Sequence, residues 1–315
     1  MTTKQAPLPS GFGPTSTATE VLGEQRLDGT VVIVTGGYAG VGLETTRVLA
    51  GAGATVIVPA RTMDKARAAL AGIARVELEA MDLADSGSID AFTSKFIASG
   101  RPLQLLINNA GIMGVPFARD ARGIEAHLAT NHVGHFQLTA RLWPALVAAR
   151  GARVVELTSA GHRRAAFDFQ DPNFERRAYD KPLAYGQSKT ANVLFAVALD
   201  ARGQERGVRA FAVHPGVIMT DLARHMSEAE LSSLLTAAAQ TMKTVEQGAA
   251  TSVWCATSPQ LEGKGGVYCA DCDIAPAVAA DSQEFSGVRP WAIDPEAAQR
   301  LWAWSEAAIG FKFAT

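Results

Sequence analysis

Residues 31–42 read VVIVTGGYAGVG: an apolar, β-branched run that stops at Thr35 and opens into glycines just before a helical stretch at 43–52. A short continuous apolar run of this kind is the mark of a strand buried on both faces, as in a parallel sheet. Glycines let the following backbone turn sharply and come close to a pyrophosphate, with no Cβ in the way. The helix start then offers free N–H groups and the positive end of its dipole. The spacing is not G-x-G-x-x-G, because Thr45 stands three residues past Gly42. T-G-x-x-x-G-x-G fits instead, with Thr35, Gly36, Gly40 and Gly42. Alone, such a turn could equally be a tight connection.

Working outward, similar runs recur at 55–58 (TVIV), 103–107 (LQLLI), 154–157 (VVEL) and 208–213 (VRAFAV), with a weaker third-strand candidate at 75–78. Segments of helical length lie between them, at 64–71, 88–98, 123–149 and 184–206. This alternation predicts βαβ units with right-handed crossovers, hence an α/β, doubly wound parallel sheet of Rossmann type with helices on both faces. The length of 315 residues suggests two domains by the soft rule of about 150 each. The strand pattern instead predicts one domain over 29–315, preceded by an extension at 1–28 that lies outside the sheet. Surplus length falls in an insertion at 160–183 and a substrate loop at 217–243.

Composition narrows the class. Hydrophobic residues make up 48% and charged residues 19%, which suits a filled core and argues against disorder. Lys+Arg 29 against Asp+Glu 31 leaves a net charge of -2, so neither nucleic acid nor an anionic membrane is an expected partner. Three cysteines, an odd count, point to a reducing compartment, and a cytoplasmic location is expected. No apolar run approaches the roughly 18 residues of a membrane span. Residues 1–20 lack the apolar centre of a secretory signal.

The second strand bears on which dinucleotide would bind. An acidic residue about 20 positions past the glycines would hold a ribose 2′-hydroxyl and select NAD. Residues 56–61 read VIVPAR, so the acid is absent and Arg61 follows, which suits a 2′-phosphate. This predicts NADP(H) rather than NAD(H), although an exposed loop arginine would look the same. Asp82 could accept from an adenine amino group or cap a turn.

Tyr185 and Lys189 stand four apart, which puts phenol and ammonium on one helix face. A free tyrosine, with pKa near 10, is only about one part in a thousand ionised at neutral pH; bringing that value near 7 takes roughly 4 kcal/mol. A cation about 4 Å away at an effective dielectric of 20 supplies energy of that order. Such a phenol is a usable general acid or base. Ser159 ends the 154–157 strand, where ligands sit in these sheets, and strand alternation sends its neighbour Thr158 to the other face. Asn108 and Asn109 follow an apolar strand, where amides often satisfy backbone groups. Asn131 inside the 123–149 segment would either break the helix and hold a water or be exposed.

Taken together and in order, Thr35–Gly42, Asp82, Asn108–Gly111, Asn131, Ser159, Tyr185/Lys189 and Pro215–Thr220 resemble the short-chain dehydrogenase/reductase family, single-domain branch. The phrases YGQSKTANVLF (185–195), TNHVGHF (130–136), VHPGV (213–217) and PEAAQRLWAWSE (295–306) are similar to its retinol-dehydrogenase and WW-domain-oxidoreductase group. The resemblance implies Tyr185 as general acid/base, Lys189 holding ribose hydroxyls and lowering the phenol pKa, Ser159 positioning the substrate oxygen, and Asn131 anchoring a relay water. It implies a cofactor held by Gly36, Tyr38, Ala39, Gly40, Val41, Gly42, Asp82, Leu83, Asn108, Ala110 and Gly111, and by Pro215, Gly216, Ile218 and Thr220 at the nicotinamide. It also implies a small carbonyl or alcohol substrate, and a homodimer or homotetramer through helices 123–149 and 184–206. The group's membrane-anchoring N-terminus has no counterpart here.

Other signals leave alternatives open. The spacing of Cys269 and Cys272 suits a redox or zinc site, but no further ligands stand near and structural thiols are expected. His132 and His135 are expected to pack within their helix. Phe167, Phe169 and Phe174, flanked by arginine doublets, would form either an anchored loop or a lid over an apolar substrate. Besides an oxidoreductase, a non-catalytic dinucleotide sensor or scaffold is considered, and a sugar-nucleotide epimerase, which would usually carry T-G-x-x-G-x-x-G.

Overall fold

The run that opens the motif is the strand β1 (Val31–Val34) in the computed structural model, which describes residues 3–313. On one side of it lie β2 (Thr55–Ala60) and β3 (Val76–Ala80); on the other lie β4 (Leu105–Asn108), β5 (Ala152–Leu157), β6 (Val208–His214), β7 (Val267–Ala270) and β8 (Asp273–Ile274). The sheet order is β3-β2-β1-β4-β5-β6-β7-β8, parallel throughout except for β8. This is a Rossmann-type α/β fold. The order reverses between β1 and β4, which opens a crevice above their carboxyl ends. The third strand starts at Val76, one residue later than expected, because Arg75 sits in a left-handed turn (φ 62).

Helices cover both faces, and this is why the strands are apolar without alternation. Ile33, Leu106 and Val154 face α4 (Ser86–Ala98), α6 (Gly134–Ala148), α7 (Lys181–Gly203) and α10 (Pro295–Ile309). Val32, Ile107 and Val155 face α1 (Ala18–Leu22), α2 (Gly40–Gly51) and α9 (Val245–Thr257). α3 (Met63–Ala69) joins β2 to β3, and α8 (Glu228–Ala238) lies in the 217–243 loop.

Several expectations are corrected. The single helix over 123–149 is broken into α5 (Ala126–Leu128), a π turn (Ala129–Val133) and α6. Asn131 lies in that turn and is fully buried rather than exposed. The extension lies outside the sheet yet is built into the molecule. Ala18, Val21 and Leu22 are buried beneath α9 and α2. Gln5 donates to the Tyr268 and Ala275 carbonyls at 2.9 and 2.6 Å and accepts from the Tyr268 N–H at 2.9 Å.

The aromatics of the 160–183 segment are anchored. Phe167 packs on Phe169 and Trp304, and Phe174 packs on Tyr179 with Arg177 over its ring. The Asp171 carboxylate gathers the N–H groups of Glu175, Arg176 and Arg177. The chain's own α10 packs against α6 and α7, the two helices implied as an oligomer interface. Trp302 lies 5.1 Å from Phe136 and 6.1 Å from Phe195 between ring centroids.

The Cys269/Cys272 spacing belongs to a two-residue hairpin joining β7 to β8. Asp271 and Cys272 have φ 53 and 59, as that turn type demands. All three thiols are buried and unpaired, and burial pushes Cys272 up to about 11. Among the described residues no helix is long and apolar enough to cross a membrane.

Candidate active site

A cleft of about 400 Å³ opens at the carboxyl ends of the strands, with the glycine turn forming its middle. Thr35 fixes that turn. Its hydroxyl oxygen accepts the N–H groups of Asn109 and Ala110 at 2.9 Å each, so its own proton goes to His135 Nε2, also at 2.9 Å. Gly40 takes φ +50, which a side chain would strain, and its missing Cβ leaves room for Thr220 at 3.0 Å. α2 then begins on Ala39, which has no capping side chain. By contrast α4, α7, α8, α9 and α10 are capped by Asp85, Asp180, Ser227, Thr244 and Asp294. The first-turn N–H groups of α2 are therefore free for an anion.

At one end the cleft is lined by Arg61, Thr62, Lys65, Asp82 and Leu83. Asp82 both lines the cleft and caps its own turn, accepting from the Ala84 N–H at 2.9 Å. Lys65, in α3, reaches across to Asp221 at 2.8 Å, which ties that helix to the turn after β6. Ile218, Thr220 and Leu222 continue that wall, alongside Pro215 and Gly216.

At the other end stand Ser159, Tyr185 and Lys189. Thr158 and Ser159 both line the cleft, but the Thr158 hydroxyl donates to the Lys189 carbonyl at 2.7 Å, while the Ser159 hydroxyl accepts from the Gly161 N–H at 3.0 Å. The Lys189 ammonium donates to the Leu157 carbonyl at 2.9 Å and lies 5.8 Å from the Tyr185 ring centroid. Burial pushes the phenol above its ordinary value, and the Ser159 hydroxyl pulls it back in part. The phenol is thus a proton donor in this state. Burial lowers the Lys189 ammonium to about 8, and the Glu156 carboxylate acts in the opposite direction.

Two predicted residues are not on the cleft surface. Asn108 is fully buried; its amide donates to Thr139 Oγ1 at 3.1 Å and to Glu156 Oε2 at 2.8 Å, so it does not face a ribose. It is the last residue of β4, and its side chain points into the layer beneath the sheet. Asn109 and Ala110 line the cleft in its place. Asn131 uses its side chain to hold the strand-exit loop, accepting from the Ile112 N–H at 2.8 Å and donating to the Ile112 carbonyl and Ser188 Oγ. Its backbone carbonyl accepts from His135 Nδ1 at 2.9 Å. His135 therefore joins the glycine turn to the π turn. Burial, the largest effect, lowers it to about 4 and keeps it neutral. The sequence predicts only packing for His135; its i,i+4 relation to Asn131 is the one local hint of more. His132, by contrast, packs as expected, against Ser305, Phe136 and Phe195.

An uncapped helix start, a cationic end and a phenol–ammonium pair arranged along one cleft fit a dinucleotide with a reactive ring. The short chain dehydrogenase family model matches residues 30–231. The chain belongs to that family. It is 43% identical over 289 residues to a probable oxidoreductase of Streptomyces lividans, covering 88% of this chain and 96% of that one. It is 38% identical over 294 residues to retinol dehydrogenase 12 of Homo sapiens, covering 91% and 89%. A solved structure of an uncharacterised protein from Mycobacterium Paratuberculosis superposes with a TM-score of 0.75 at 32% identity, covering 96% of this chain and 100% of that one. This short-chain dehydrogenase is therefore an oxidoreductase of the retinol-dehydrogenase-like kind, and members of the family bind NAD(P)(H).

Proposed function

We propose that this short-chain dehydrogenase is an NADP(H)-dependent alcohol dehydrogenase or carbonyl reductase for a small, fairly apolar substrate. The observation that carries the reading is the convergence of Ser159, Tyr185 and Lys189 on one wall of a cleft whose middle is a free helix N-terminus. When bound, the nicotinamide supplies or accepts the hydride. Ser159 holds the substrate oxygen by its hydroxyl. Tyr185 gives its proton to that oxygen during reduction and takes it back during oxidation. Lys189 sets the charge beside the phenol and offers N–H donors to the ribose. Arg61, just past a second strand that ends without an acidic residue, supports 2′-phosphate binding, and Lys65 lines the same cleft. Asn131 holds the π turn whose carbonyl would carry a relay water. Ile112, Ile218 and Leu222 add apolar lining to the cleft, which supports an uncharged substrate. A sensor would need only the glycine turn, so the buried pair of Tyr185 and Lys189 favours the enzyme. The three unpaired thiols support a reducing compartment such as the cytoplasm.

A screen of ketones, aldehydes and alcohols, following cofactor absorbance with both NADP(H) and NAD(H), tests the reaction class. In the active pair, Tyr185→Phe is expected to bind NADPH as the parent does and to lose turnover. Retained turnover would sink the acid–base role.

A further inference from the structure

The turn that follows β5, Ala160–Arg164, carries a histidine that the chemistry proposed above does not use. His162 is fully buried, and both of its ring nitrogens are committed. Nδ1 donates to the Ser159 carbonyl at 2.8 Å, and that carbonyl also accepts the His162 N–H at 3.0 Å. Since a carbonyl only accepts, Nδ1 bears the proton. Nε2 therefore carries the lone pair, and it accepts the N–H of Arg289, 127 residues further along the chain, at 3.2 Å. The His162 carbonyl accepts from Trp291 Nε1 at 3.2 Å and from Thr190 Oγ1 of α7 at 3.1 Å. Burial, the largest effect, lowers the imidazole to about 4, so it stays neutral. This turn backs the reactive end of the cleft. The Gly161 N–H donates to Ser159 Oγ at 3.0 Å, which leaves the hydroxyl proton free to be given elsewhere. A Cβ on Gly161 would stand 2.9 Å from Tyr185 Cε1, so the turn lies directly against the phenol ring.

We propose that His162 is a positioning residue, a neutral rivet through which the backbone at Arg289 holds the Ser159 hydroxyl in place beside Tyr185. The inference rests on reading Ser159 and Tyr185 as the groups that meet the substrate oxygen. Ser159 is gripped at both ends within one short turn, its carbonyl by His162 and its hydroxyl by Gly161. The turn itself is fixed from outside, by the 289–291 segment and by α7. Only the Nδ1–H tautomer serves. A proton on Nε2 would set two N–H donors face to face and take the ring's bond from the Ser159 carbonyl. A reacting group misplaced by about 1 Å loses roughly 100-fold in rate, so the rivet bears directly on turnover. The 289–291 segment, remote in sequence, thereby becomes part of the active site.

His162→Gln keeps an acceptor for the Arg289 N–H and loses the donor to the Ser159 carbonyl. His162→Asn does the reverse, its amide nitrogen standing where Nδ1 stands. In His162→Gln, kcat for carbonyl reduction is expected to fall about 10- to 100-fold with NADPH affinity at the parent value, and His162→Asn should recover part of the loss. Placed in Ser159→Ala, His162→Gln should cost less than about 2-fold further, because the hydroxyl it positions is gone. A full, independent loss in that background would mark a general structural role and overturn the proposal, as would parent-like turnover in His162→Gln. Nitrogen-15 spectra of the ring, assigned by their loss in either His162 variant, read the tautomer without turnover. Nδ1–H is expected at pH 7, and Nε2–H or an imidazolium is fatal. Should His162→Gln not fold, Trp291→Phe drops only the bond to the His162 carbonyl. It is expected to give a smaller loss of kcat that again vanishes in Ser159→Ala, and no loss or an additive one overturns the proposal equally. Full turnover in Ser159→Ala by itself would overturn the underlying reading instead.

Discussion

Gly42 sets how closely the helix of the phosphate turn packs on the turn that feeds it. A Cβ there would stand 2.4 Å from the Gly36 carbonyl oxygen and 2.4 Å from Asn109 Nδ2. Neither neighbour can yield easily, since one is backbone and the other is held by a 2.8 Å bond to the Thr35 carbonyl. Non-bonded heavy atoms settle near 3.5 Å, so Gly42→Ala must push α2 back by about 1 Å. Overpacking of this kind costs about 1–3 kcal/mol, or roughly 2–6 °C in Tm at about 2 °C per kcal/mol. The retreat also carries the first-turn N–H groups away from the cleft, so NADPH affinity should fall with Tm. Gly51, the last residue of the same helix, provides the control. Nothing lies within 4 Å of its Cβ position and its φ is ordinary. Gly51→Ala should therefore gain up to about 0.5–1 kcal/mol from helix propensity and the stiffer unfolded chain. Thermal melts of both variants, with NADPH titrated by fluorescence, decide the matter. A Gly42→Ala protein that melts and binds like the parent would refute the packing argument.

Two further expectations concern charge. On the proposed NADP(H) reading, Arg61→Ala would remove a charge-assisted bond to a 2′-phosphate, worth about 1.5–3 kcal/mol, so NADPH should weaken roughly 10- to 100-fold with NADH little changed. Equal losses for the two, measured by titration, would count against NADP selection. His132, His135, His162 and His214 are held by burial at about 3, 4, 4 and 3. Their unfolded values lie near 6.5, so below that pH the unfolded chain takes up protons that the folded chain refuses. Stability is therefore present above pH 6.5 and is lost as pH falls toward 4, by up to about 1.4 kcal/mol per pH unit for each histidine. Melts from pH 7.5 to 5 should show a steep fall in Tm, and a flat profile would contradict the burial of these rings as neutral groups.

Local pattern carried most of the fold. The apolar strands, the glycine turn and the crossover helices each declare themselves within about ten residues. The burial that makes them apolar comes from helices on both faces, so the runs needed no tertiary knowledge to recognise. The candidate site was legible for the same reason where a residue sits at a strand exit or one helix turn from its partner, as with Ser159, Tyr185 and Lys189. Asn108 was misplaced because one step in strand phase separates it from Asn109. Phase at the last residue of a strand depends on where pairing stops, here against Glu156. Asn131 was recognisable as a poor helix former, but the π turn depends on Ile112 and Ser188, 19 and 57 residues away.

Sequence alone determined the β1 motif, the parallel α/β order, and the residue types that meet at the cleft, because strand burial, turn geometry and i,i+4 spacing are short-range constraints. Only the tertiary structure decided which face each polar group takes and what lies behind it. Thr35, His135 and the Asn131 carbonyl form one hydrogen-bonded line across 100 residues of chain. Glu156 comes to lie beside Asn108 because β5 and β4 pair in register, not because anything in VVELTS announces it. Buried polar groups must find partners wherever the fold brings them, and those partners are set by packing across the sheet rather than by neighbours along the chain.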